Sequence, residues 1–255
     1  MKKKSGAWLI TALIILVIGV CGCTMNHTDL QNNKEPEVTL SERQKNILSE
    51  QGLPTEYAQL SPHQQRAIVA MEEMLLYAEE KYDMPFSYAG YTAAGSMEKE
   101  HMQAYPTSGH METDTFTITK TKDGYEDDFL SVAATPYFTS YLTEQFKAFL
   151  PETDIKVYGK ITKTSLQEMP AEDTVFDGKV SSSLCIFVDG ATCSEESFET
   201  FKTQYADFMR EHQLYGMAEV VLLKEGNLVY LSRYNYMDYL SQTYYESRDT
   251  VSIQR

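Results

Sequence analysis

Three stretches of helical periodicity, each followed by strand-like runs, constrain this chain more than any other feature. Apolar residues recur at helical spacing over 62–82, 136–149 and 195–213, and period-two runs follow each of them. In the first, Ser61-Pro62-His63-Gln64 reads as a capping box with proline at the first helical position. Ile68, Met71, Leu75 and Tyr82 line its face, with Val69, Leu76 and Ala78 beside them. Thr135-Pro136 opens the second helix, whose face carries Phe138, Leu142, Phe146 and Phe149; Pro151 closes it. Ser194 caps the third, with Phe198, Phe201, Tyr205, Phe208 and Met209 on one side and a stop before Gly216. A further capping box, Ser41-Glu42-Arg43-Gln44, starts a short helix that ends at Gly52.

The strand-like runs are FSYAGYTAAG, TFTITKTKDGYEDDFLSVA turning at Asp123-Gly124, DIKVYGKIT and the buried-type SSLCIFVDG. AEVVLLKEGNLVYLSRY predicts a hairpin joined across Gly226-Asn227. EMPAEDTVFDGK reads as an irregular loop. The junctions EEKYDMPFSYAGY, LPETDIKVYGK and HQLYGMAEVVLL play the same role without sharing residues. They predict a topological repeat of helix–strand–strand units, hence an α+β fold with antiparallel sheets and helices on one face. Residues 41–255 suffice for one large domain or two parts of about 61–134 and 135–255.

The N-terminal segment has a different logic. Lys2, Lys3 and Lys4 precede an apolar run from Ala7 to Val20, which at ~1.5 Å per residue is too short to cross ~30 Å of hydrocarbon comfortably. A basic start and a short apolar core define a secretory signal. At its end, Val20-Cys21-Gly22-Cys23 resembles the lipobox of bacterial lipoproteins. The resemblance implies cleavage between Gly22 and Cys23, with Cys23 as the lipidated thiol; Cys21 departs from the family pattern and would leave with the signal. Residues 1–22 are then the signal peptide, 23–40 the lipid anchor and tether, and 41–255 the ectodomain. The whole chain resembles uncharacterised surface lipoproteins of Gram-positive bacteria, and 62–134 is similar to PepSY-type modules in its units. The location implied is the extracytoplasmic face of the cell membrane.

Thr24 to Leu40 is polar, contains Pro36 and shows no periodicity, as expected of a tether with a coil span on the order of 20–25 Å. Cleavage removes three lysines and no acid, so the formal charge moves from −15 to −18. Such a body repels phosphate backbones, which argues against nucleic acid as a partner; membrane association would come from acyl chains.

Residues with chemical potential are few. Cys185 and Cys193 in CIFVDGATC could form a disulfide if the chain turns at Asp189-Gly190, or remain separate buried thiols. Glu98, Glu100, His101, His110, Glu112 and Asp114 could collect a metal ion if their loop folded back, though their spacing matches no compact zinc pattern. There is no GxSxG elbow, Walker A loop or dinucleotide glycine fingerprint, and nothing calls for a cofactor. YLSRYNYMDYLSQTYYE could form a recognition surface or pack over the last sheet. The reading that follows is a membrane-anchored, non-catalytic binding or accessory module whose partner is an envelope protein, a peptide or a wall fragment. Two alternatives are a wall- or peptide-directed hydrolase using carboxylates, and an accessory subunit of a membrane sensor or transporter.

Overall fold

Both capping boxes form as the sequence dictates. Ser41 Oγ accepts the Gln44 N–H and Gln44 Oε1 accepts the Ser41 N–H, opening α1 (Glu42–Glu50). Ser61 and Gln64 repeat this reciprocity for α2 (Pro62–Tyr82). These contacts belong to a computed structural model that describes residues 38–254, of which 39–254 form one compact unit. Cys21, Gly22, Cys23 and the signal and tether readings up to residue 37 lie outside the described residues.

The first sheet is an antiparallel meander of β1 (Phe86–Thr92), β2 (His101–Pro106), β3 (Phe116–Lys120) and β4 (Tyr125–Asp127). One face turns Phe86, Met102, Ala104, Phe116 and Ile118 onto Ile68, Met74, Leu75 and Ala78 of α2. Leu76, expected beside that face, is exposed. The stretch expected as a polar loop around His101 is strand β2: Met102 and Ala104 point inward while Gln103 faces solvent. A short helix, α3 (Met111–Asp114), follows it.

The next helix, α4 (Phe129–Lys147), takes Phe129 to Ala133 out of the expected hairpin run, starts seven residues before Pro136 and carries that proline inside. The reason is local: Asp127 Oδ1 accepts the Phe129 N–H at 3.1 Å, and Phe129 itself is buried among Tyr82, Phe86 and Phe116 at ring distances of 4.7–5.0 Å. Burial and a carboxylate at the amino end outweigh the proline cue. The expected division near 134/135 therefore falls inside one helix.

The second sheet runs β5 (Ile155–Thr164), β6 (Val180–Asp189), β7 (Tyr215–Leu223) and β8 (Tyr245–Ile253) in that order. Helix α5 (Glu195–Glu211) crosses over between β6 and β7, so this pair is parallel while β5–β6 and β7–β8 are antiparallel. The arrangement α4–β5–β6 followed by α5–β7–β8 is two helix–strand–strand units side by side. Both helices cover one face: Phe138, Leu142 and Phe146 meet Phe198, Phe201 and Tyr205 over Val157, Ile186 and Val220.

The last hairpin differs from expectation. Its second arm is β8, not residues 228–234, and residues 224–244 form an insert between β7 and β8. Leu228 and Leu231 recur every three residues in a 3-10 turn instead of every two, and they cover Phe187, Val221 and Leu223 on the second face of the sheet.

Candidate functional site

The insert is pinned from below. Lys156 Nζ, on the edge strand β5, donates to the carbonyls of Leu228 and Leu231 at 2.9 and 3.0 Å, and Tyr158 Oη donates to Leu231 O at 3.2 Å. Asn235 Oδ1 accepts the Ser232 N–H at 2.7 Å while its Nδ2 donates to Tyr230 O, which fixes the turn. Tyr236 stacks on Tyr158 with centroids 5.1 Å apart, and Tyr239 packs against Tyr244. These tyrosines resolve half of the tyrosine question towards packing.

The other half resolves outward. Val229, Tyr230, Tyr234 and Met237 are 59–72% exposed, on a loop whose backbone is held by the contacts above. A fixed display of neighbouring apolar and aromatic side chains is unfavourable for an isolated surface and marks a candidate interaction face. Arg233 extends the site toward the first sheet: its guanidinium meets Asp114 Oδ1 at 2.5 Å, and the His110 ring stands edge-on to Tyr234 at 6.1 Å. Burial alone raises Asp114; the His110 N–H and the Arg233 guanidinium outweigh it and hold the carboxyl below its usual range.

Beside the insert, a groove runs along the free edge of β5. Two adjoining cavities of about 240 and 470 Å³ share Thr143, Ile155 and Lys156 as walls, and the larger ends at Val229. Its other wall is α4, where Thr139 and Thr143 line the cavities; with Thr135 they form a stripe at i, i+4 spacing, each hydroxyl donating to the carbonyl four residues back.

The six acid and histidine candidates are not gathered into a site. Glu98, Glu112 and His110 are exposed; Glu100 accepts from Tyr91 Oη at 2.5 Å and pairs with Lys120; His101 Nδ1 lies 3.0 Å from Lys99 O. Only His110 and Asp114 meet, through a backbone N–H. Among the described residues no group of three His, Cys, Asp or Glu side chains could hold a metal ion. The disulfide is not formed either: Cys185 packs on the insert's side of the sheet and Cys193 among the helices on the opposite side. Burial pushes the Cys185 thiol up to about 11, with Glu219 adding to the shift, which suits a packed side chain and not a nucleophile.

No protein-family model matches the chain, and no curated protein matches it. Among solved structures it is similar to a DUF5037 family protein from Ruminococcus gnavus at 10% identity, covering 60% of this chain and 75% of that one with a TM-score of 0.30. No helix among the described residues is long and apolar enough to cross a membrane.

Proposed function

We propose that the protein is a lipid-anchored extracytoplasmic binding module that engages an envelope protein through the exposed face of its 224–244 insert. One observation carries the reading: Val229, Tyr230, Tyr234 and Met237 point into solvent from a backbone immobilised by Lys156, Tyr158 and Asn235. Tyrosine and methionine are favoured at the centre of protein interfaces, and a pre-ordered loop loses little entropy on binding. The lipobox resemblance of Val20-Cys21-Gly22-Cys23 supports the anchor, with Cys23 as the acyl acceptor. An accessory subunit of a membrane sensor or transporter is the same chemistry with a membrane-embedded partner. The acids and histidines at 98–114 form no metal-holding group among the described residues, so they lend nothing to a metal-dependent form of the hydrolase reading.

The test is photo-crosslinking in intact cells with a reactive analogue at the neighbouring exposed position 229. A discrete crosslinked partner, lost or weakened at least tenfold in Tyr230→Ala/Tyr234→Ala, is the expected result. Crosslinking that is diffuse and indifferent to both substitutions overturns the assignment of this face. For the anchor, Cys23→Ala abolishes acyl labelling and releases the protein from membranes; persistent labelling overturns it.

A further inference from the structure

The groove along β5 has a second use that the insert's exposed face does not explain. Asp154 O accepts the Asp189 N–H at 3.0 Å, so residue 154 turns its main chain toward β6. Alternation then turns Ile155, Val157, Gly159 and Ile161 the other way, because a strand residue presents its N–H and C=O to one side. Ile161 confirms this parity: its N–H donates outward to Thr135 Oγ1 on α4 at 3.0 Å. That contact seals the upper end of the edge. Lower down, Thr139 and Thr143 stand across a cavity from the strand, and no hydrogen bond among the described residues meets the outward groups of Ile155 or Val157. The open edge thus spans 155–159.

The face of β5 turned toward the insert adds charge. Lys156 and Lys160 lie on it, Lys163 follows after the bulge, and the strand holds no acid, in a chain of 37 acidic and 22 basic residues; Asp154 and Asp189 line only the lower end of the groove, and Asp128 is the carboxylate whose charge Lys160 feels. Lys156 is committed to the insert's carbonyls, whereas Lys160 and Lys163 are exposed and lie in no ion pair among the described residues. A second copy of the chain would bring three lysines against three, so like charge opposes edge-to-edge pairing with itself.

We infer that the open edge of β5 takes an extended, acidic segment of a partner protein as an added strand. Its main chain pairs with Ile155 and Val157, its carboxylates lie beside Lys160, and its opposite side chains face the Thr139 and Thr143 hydroxyls. This is strand addition, in which the backbone supplies affinity and cross-strand side chains supply selectivity. It does not depend on the Tyr230 face or on the anchor.

The test uses the full chain and three eight-residue peptides, alternating threonine with glutamate, with lysine or with glutamine, followed by fluorescence anisotropy and amide exchange. The glutamate peptide binds at least tenfold more tightly than the lysine peptide and slows exchange at Ile155 and Val157. Lys160→Glu, at an exposed position whose charge acts on Asp128, reverses the preference toward the lysine peptide, and an unchanged urea midpoint of this variant separates the effect from any loss of folding. The proposal is overturned by equal binding of all three peptides, by exchange at Ile155 and Val157 unaltered on binding, or by Lys160→Glu leaving the preference intact. Self-association of the free chain that protects the same amides overturns it as well, since the edge then belongs to a second copy.

Discussion

Asp127 illustrates how one side chain can hold three elements together. Its carboxylate is fully buried and accepts from Lys81 Nζ at 2.7 Å, Tyr82 Oη at 2.6 Å, Tyr77 Oη at 2.9 Å and the Phe129 N–H. β4 is thereby tied to the end of α2 and to the start of α4. Burial alone would raise its proton affinity; the donors from Lys81, Tyr82 and Tyr77 outweigh that and hold the carboxyl below its ordinary range. A depressed carboxylate contributes stability that is complete above its unfolded value of about 3.9 and is lost as pH falls through the folded value. Asp127→Asn therefore destabilises the chain by about 2–3 kcal/mol near pH 7, and the deficit shrinks toward pH 3. Urea unfolding at both pH values reads this directly, and an equal deficit at both would show that packing, not charge, is the contribution.

At the scale of elements, the two helix–strand–strand units share a detail hidden in the sequence. Tyr158-Gly159 and Tyr215-Gly216 both occur in the first strand of a unit, and both glycines sit at φ +135°. A Cβ on Gly216 would lie 1.9 Å from Ser182 O, and one on Gly159 2.2 Å from Ser183 O, both backbone atoms that cannot step aside. Gly216→Ala is expected to cost about 2 kcal/mol or more, seen as a lowered urea midpoint with an unchanged slope. The helices were legible because capping boxes and 3.6-residue periodicity are local. The insert was not, since Leu228 and Leu231 are apolar for covering a sheet face, and hydrophobicity alone does not distinguish that from a hairpin arm. β8 escaped notice because the half-buried positions 247 and 249 are Ser and Asp, so polar residues fall on both faces and the alternation is lost. The exposed patch was beyond reach for a related reason. Tyr236 is packed and Tyr234 exposed, and which tyrosine is covered follows from long-range packing against Tyr158, not from neighbouring residues.

Across the whole molecule, the two sheets have separate cores but share α4. Phe129, in its first turn, belongs to the core under the first sheet, while Phe138, Leu142 and Phe146 belong to that of the second. The helix cannot melt without withdrawing support from both, so the two cores unfold as one cooperative unit. Phe138 is fully buried and touches only the second core, packing at 5.1 Å on Phe176. Truncating it to alanine opens a cavity there and costs about 3–5 kcal/mol. If α4 couples the cores, Phe138→Ala accelerates amide exchange at Ile118 in the first sheet as much as at Val220 in the second, although Ile118 lies in the other cluster. Acceleration confined to Val220 and its neighbours would instead mean that α4 frays between Phe129 and Phe138 and that each sheet opens alone. The distinction reaches the functional face, because Arg233 on the insert pairs with Asp114 beside the first sheet. A chain that unfolds as one unit presents Tyr234 and His110 together until it melts, whereas independent opening would release them at different denaturant concentrations.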